Sequence, residues 1–147
     1  MGCIIPTFRL LKEKSSIYNV SKIISSPEKS VKVIEEVFSL SLQTQEVLIV
    51  LALNSKNQVI GSFEVHKGSL DSSIAYPREI FKGALLLNSA SIIMAHNHPS
   101  GNPTPSLEDL QITNRVLEAD NIIGINLLDH IIIGENNFIS LKKIGKM

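Results

Sequence analysis

The sequence predicts an α/β domain, a mixed sheet flanked by helices. Three observations carry that expectation. Stretches with a helical apolar period alternate with short apolar runs along the chain. Two of those runs, 47–53 and 59–65, sit either side of the polar residues Asn54, Ser55, Lys56 and Asn57, as the strands of a hairpin would. The first run is apolar at every position, which places its strand inside a sheet covered on both faces. At 147 residues and 44% hydrophobic, the chain suits one domain with a single buried core.

The elements follow in order. Residues 1–25 show no clear period and are expected to form an N-terminal extension with a short strand and a turn; the domain proper is 26–147. Ser26 is placed to cap a helix, with Pro27 at its first position and Glu28 in its first turn. Val31, Ile34, Val37 and Phe38 then recur on one face of that helix. The hairpin comes next, and 66–76 reads as a loop, with room for a short edge strand. Pro77 opens a second helix that ends near Asn88. "ASIIMAHN" is a short strand, and "SLEDLQITNRVLEADNI" a third helix. Its apolar stripe is expected from Leu107, Leu110 and Leu117, with Ile112 and Val116 beside it. "GINLLDHIIIGENNFISL" closes the chain with short strands around the turn at "GENN".

Composition narrows the function classes. Fourteen Lys and Arg balance fourteen Asp and Glu, which argues against a protein that relies on electrostatic attraction to nucleic acid or anionic lipid. Cys3 is the one cysteine, so no intrachain disulfide forms, as suits a reducing compartment. No run approaches the roughly 18 apolar residues of a membrane span. The start "MGCIIPTF" lacks the order of a signal peptide, and Pro6 stands where a myristoylation pattern needs Ser or Thr. A cytoplasmic protein without a membrane partner is expected.

The chemistry concentrates in "HNHPSGNPTPSLEDL", residues 96–110. His96 and His98 are two apart at the end of a strand, so both rings face one side. Pro99, Gly101, Pro103 and Pro105 can turn the chain back, bringing Asp109 to them. Two neutral imidazoles and a carboxylate are a common ligand set for catalytic zinc, leaving a fourth position for a water whose pKa falls toward neutrality. A second reading competes for Asp109. "SLED" resembles a capping box, in which Ser106 and Asp109 only start the helix. Of the remaining histidines, His66 reads as a surface residue. His130 reads as a core histidine bonded to backbone, with support of a metal ligand as its alternative. Glu79 suits the acidic first turn of its helix.

The register H-x-H-x7-S-x2-D matches the JAMM metalloprotease motif of JAB/MPN domains, and the chain from about residue 30 to 143 resembles the bacterial RadC family through "HNHPSG", "PSLED" and "LLDHIIIG". The resemblance implies a three-layer α/β/α fold of cytidine deaminase-like architecture. It implies Zn2+ held by His96, His98 and Asp109, with Ser106 as the motif serine beside the oxyanion or the water. It also implies an upstream glutamate as general acid/base. Two glutamates compete for that role. Glu46 starts the first strand directly after the first helix, where the motif wants it, and is preferred. Glu64, in the second strand, alternates with Phe63 and Val65 and reads as facing outward. Longer RadC proteins carry an N-terminal helix-hairpin-helix region associated with DNA; a short form without it is expected here. The implied activity is hydrolysis of a peptide or isopeptide bond in a peptide or protein substrate. A DNA-repair or nucleic-acid accessory protein without protease activity is the alternative, and a non-catalytic scaffold is a third reading.

Overall fold

A computed structural model describes residues 2–9, 15–70 and 76–147. The helices are α1 (Pro27–Phe38), α2 (Pro77–Leu86) and α3 (Leu107–Ile123), with one 3-10 turn at Leu40–Leu42. The strands are β1 (Val47–Leu53), β2 (Val59–Lys67), β3 (Ser91–Asn97), β4 (Asn126–Ile133) and β5 (Phe138–Ser140). They form one sheet of order β2-β1-β3-β4-β5. β3 and β4 are parallel, joined through α3, and the other neighbours are antiparallel. The mixed sheet expected from the sequence is therefore present. β1 is interior and buried at all seven positions.

Strand alternation divides the core into two layers. On β1, Leu48 and Val50 pack with Ile80, Phe81 and Ala84 of α2 and Ile112 and Val116 of α3. Ile49, Leu51 and Leu53 point the other way and pack with Val33 and Ile34 of α1 and with Leu40. Two helices thus cover one face and α1 the other, giving three layers. Ile24 joins the α1 layer, and the strand expected in 1–25 is reduced, among the described residues, to a single bridge between Ile23 and Gln58. Residues 10–14 of that stretch, and 71–75 of the loop before α2, lie outside the described residues.

Helix starts follow local chemistry. Ser26 caps α1 by accepting from the Lys29 N–H, and Pro27 opens it. Ser106 caps α3, and Gly124 ends it in the left-handed conformation at φ 78°. The stripe expected on α3 is shifted. Its buried positions are Asp109, Ile112, Thr113, Val116 and Asp120, whereas Leu107 is 67% exposed. Leucine spacing did not reveal the phase, because a buried carboxylate and a buried threonine occupy the inward face.

β4 carries a bulge that matters for the site. Ile92 pairs with Leu127 but Ile93 pairs with Asp129, so Leu128 is the extra residue. The bulge shifts the alternation by one. His130, paired with Met94, therefore lies on the face that α3 covers.

Truncation tests the phase of α3. Ile112→Ala, at a fully buried position, is expected to cost about 2–5 kcal/mol. Leu107→Ala should stay within about 0.5 kcal/mol. Urea denaturation of both variants measures the contrast, and equal losses would contradict this phase.

Candidate metal centre

Glu46, His96, His98 and Asp109 meet at one end of the sheet, with a potential ligand atom of each within 4.8 Å of the others. β3 supplies His96 at its penultimate position, and His98 follows one residue beyond its end. Their Nε2 atoms lie 3.0 Å apart. Asp109 reaches them from the first turn of α3, Oδ1 at 3.1 Å from His96 Nε2 and Oδ2 at 3.2 Å from His98 Nε2. Glu46, immediately before β1, places Oε1 3.7 Å from His96 Nε2. Glu64 lies exposed on β2, opposite Ile49 and outside this group.

The two readings of Asp109 hold together. Its Oδ2 accepts from the Ser106 N–H at 2.7 Å, and Ser106 Oγ accepts from the Asp109 N–H at 3.1 Å, a complete capping box. The cap holds the carboxylate while leaving both oxygens facing the imidazoles. Ser106 Oγ is spent on the cap as an acceptor, and its hydroxyl hydrogen remains to donate.

The loop between β3 and α3 is pinned to the turn after β4. Ile133 accepts from the His98 N–H, and Gly101, at φ 83°, accepts from the Glu135 N–H. A Cβ at Gly134 would run into the Asn137 side chain, the Gly101 carbonyl and the Pro103 ring, so only glycine allows this approach.

Proton positions on the rings follow from their partners. His98 Nδ1 lies 2.8 Å from the Asn102 carbonyl, which only accepts, so Nδ1 carries the proton. Thr113 Oγ1 donates to the Asp109 carbonyl at 2.7 Å and therefore accepts from His130 Nδ1, also at 2.7 Å. Burial, and then the neighbouring His96, push His130 well below the usual imidazole range, so it is neutral and its Nε2 is an acceptor. His96 Nδ1, 2.8 Å away, then donates to it. Both free Nε2 lone pairs consequently face each other and the Asp109 oxygens. A cation between these electron-rich atoms resolves their repulsion, so the donor set fits a metal ion.

Without metal, a proton meets the same need. The hydrogen bond to Asp109 raises His98 above its ordinary value against the opposing effect of burial. Burial raises Asp109, but the bonds from His96 and His98 outweigh it and hold the carboxyl far below the usual range.

Asn97, between the two histidines, faces away from them and is 2% exposed. Its Oδ1 accepts from the Val47 N–H at 2.8 Å, and its Nδ2 donates to the Gln45 carbonyl at 3.0 Å. It thus holds the backbone on both sides of Glu46. The Leu70 N–H donates to Glu46 Oε2 at 3.0 Å, and the Gly68 N–H donates to the Glu46 carbonyl at 2.8 Å. Sequence reasoning missed Asn97 and Thr113, and favoured a backbone partner for His130 where the structure gives it two side-chain partners. The signals were present: alternation turns Asn97 off the histidine face, and Thr113 stands one helical turn after Asp109. A hollow of about 450 Å3 lies elsewhere, against Ser26, Asp129 and Lys142, and none of the four clustered residues lines it.

Two predictions follow from these contacts. Asn97→Ala is expected to destabilise the chain by about 1–3 kcal/mol and to speed hydrogen exchange at the Val47 amide; unchanged exchange would refute the clamp. In the metal-free chain, the His98 contribution is fully present below about pH 6.5 and lost as pH rises through its raised value. The Asp109 contribution is present above about pH 3.9 and lost as pH falls through its depressed value. His130, held neutral by burial, opposes this below about pH 6.5, so the His98 share is read against His98→Ala: the stability of the metal-free wild type relative to that variant should be higher at pH 6 than at pH 8. Saturating metal should reverse that order, because protons compete for His98 Nε2. Thermal unfolding at the two pH values, with and without metal, reads both signs.

Comparison with known proteins bears on the family of the chain. The family described as a RadC-like JAB domain matches residues 24–146. A UPF0758 protein of Clostridium beijerinckii is 54% identical over 138 residues, covering 94% of this chain and 58% of the relative. The UPF0758 protein YsxA of Bacillus subtilis is 50% identical over 123 residues, covering 84% of this chain and 52% of the relative. A UPF0758 protein of Clostridium perfringens is 51% identical over 120 residues, covering 82% of this chain and 52% of the relative. The chain spans about half the length of the curated relatives it matches. With a mixed α/β sheet, a histidine pair at a strand end and a carboxylate on the following helix, the chain belongs to the RadC family as a RadC-like JAB domain.

Proposed function

We propose that this chain is a zinc-dependent hydrolase of the JAMM type that cleaves a peptide or isopeptide bond. The observation that carries the reading is the convergence of Glu46 on the His96, His98 and Asp109 cluster. His96, His98 and Asp109 would hold the ion, and Glu46, farther from His96 Nε2 than Asp109 is, would stay free to move protons. Zinc in such a site supplies Lewis acidity and a nucleophile at neutral pH. Glu46 Oε1 takes the proton of the attacking water and passes it to the leaving amine. Its other oxygen is tied to the Leu70 amide, which keeps the carboxylate aimed. The Ser106 hydroxyl donates toward the oxygen that gains charge. A cavity of about 260 Å3 opens beside His98, lined by Ser41, Gln43, Ser100, Gly134 and Glu135. Its polar walls suit a segment of peptide or protein substrate. The balance of charge favours such a substrate over nucleic acid.

Purified wild-type chain is expected to hold one zinc per chain by elemental analysis, and Asp109→Ala and His98→Ala to lose it. Absence of zinc from the wild type sinks the reading. Glu46→Gln should retain zinc while hydrolysis of a fluorogenic peptide and isopeptide library falls roughly 10²–10⁴-fold. Unchanged turnover would remove Glu46 from the proton-transfer role.

A further inference from the structure

His130 and Thr113 lie behind the metal cluster, and the proposed hydrolysis uses neither. Both are 0% exposed. A core histidine kept for packing alone would be satisfied by whatever backbone lay near it. Here each ring nitrogen has a side-chain partner, His96 on one side and Thr113 on the other. Thr113 completes a circuit, since its hydroxyl donates to the backbone carbonyl of Asp109, whose carboxylate faces His96 Nε2. The path runs from one ligand of the cluster to another through two residues that touch neither the groove nor solvent.

We propose that Thr113 and His130 are positioning residues that set metal affinity by fixing the tautomer and orientation of His96. The assignment rests on the metal-site reading above. The hydroxyl of Thr113 has one hydrogen, and a helix interior offers it the carbonyl one turn back. Once that hydrogen is given to Asp109, the oxygen can only accept, and with a metal on His96 Nε2 the His96 proton sits on Nδ1, so the direction of every bond in the chain follows from the contacts. His130 Nδ1 donates, His130 Nε2 accepts, His96 Nδ1 donates, and His96 Nε2 keeps its lone pair for the metal. If the hydroxyl is removed, His130 Nδ1 faces a methyl group. The His130 ring is then free to protonate Nε2 instead, which sets two donors against each other at His96 Nδ1 or forces His96 to carry its proton on the metal side. Partners behind a ligating imidazole are generally worth 10–100-fold in metal affinity.

The bulge at Leu128 is what makes this contact available, because without it His130 would face α1. The metal-ligand register in the sequence contains neither residue, so the relay is visible only after folding.

The test uses the full chain and metal alone as probe. Zinc affinity is measured by competition with a chromophoric chelator, and cobalt-loaded protein is followed by its visible absorption bands. Thr113→Val, which is nearly isosteric, should weaken zinc binding roughly 10–100-fold and shift the cobalt bands. Thr113→Ser, which restores the hydroxyl, should return both to wild-type values. His130→Gln, which can accept from His96 and donate to Thr113, should bind more tightly than His130→Leu. Thermal unfolding of each metal-free variant separates misfolding from loss of affinity, and the valine and serine variants keep the test decisive if His130→Leu does not fold. Wild-type, valine and serine chains of equal affinity with identical cobalt bands would overturn the relay and leave the metal site standing. A wild type that binds neither metal would overturn both.

Discussion

The carboxylate of Asp109 is the interaction on which the rest of this structure depends. It starts α3 through the capping box with Ser106, and it faces both imidazoles of the cluster. Those two tasks fix the rotation of the helix. With Asp109 turned inward, Thr113, Ile112 and Val116 must follow at helical spacing, and they form the underside of α3 against the sheet. A helix phased by its leucines would have buried Leu107 and carried Asp109 away from the histidines. Core packing and site geometry are therefore solved by one choice of rotation.

The opposite wall is organised by the sheet. Alternation on β3 sends His96 toward α3 and Asn97 toward the start of β1, so neighbouring residues build two different parts of the centre. Asn97 holds the peptide units flanking Glu46, and the Leu70 amide holds one of the Glu46 oxygens. The carboxylate that immediately precedes a wholly apolar strand is thus fixed from both its backbone and its side chain. Every group at the centre is oriented by a partner one step removed: Asn97 and Leu70 for Glu46, His130 for His96, the Asn102 carbonyl for His98 and Ser106 for Asp109.

Much of this was legible in the sequence, for identifiable reasons. Pro27 and Pro77 mark helix starts because proline's missing donor costs nothing there. The fully apolar run 47–53 announced an interior strand because no polar face was left to meet water. The spacing of His96, His98 and Asp109 was readable because a strand end, a glycine- and proline-rich return and a helix start are all local. What the sequence hid is what depends on pairing between distant segments. The stripe of α3 was misplaced because buried polar residues break an apolar pattern. The partners of His130 could not be read because its face depends on a bulge, and a bulge is a property of two strands in register. The N-terminal stretch offered no period, and a single bridge from Ile23 is what the described part of it contributes to the sheet.

The bulge at Leu128 has one more consequence. Substitutions along β4 exchange one side chain for another and leave its neighbours where they were. Losing the bulge while keeping every residue does something different. Pairing Leu128 with Ile93 would let the ladder run without interruption and put every later side chain on the opposite face. His130 would move to the α1 layer, and the isoleucines after it would trade layers as well. Deleting Leu128 itself leaves Asp129 opposite Ile93 and His130 opposite Met94. The segment behaves like a reading frame written in space, in which one extra letter sets the phase of all that follow.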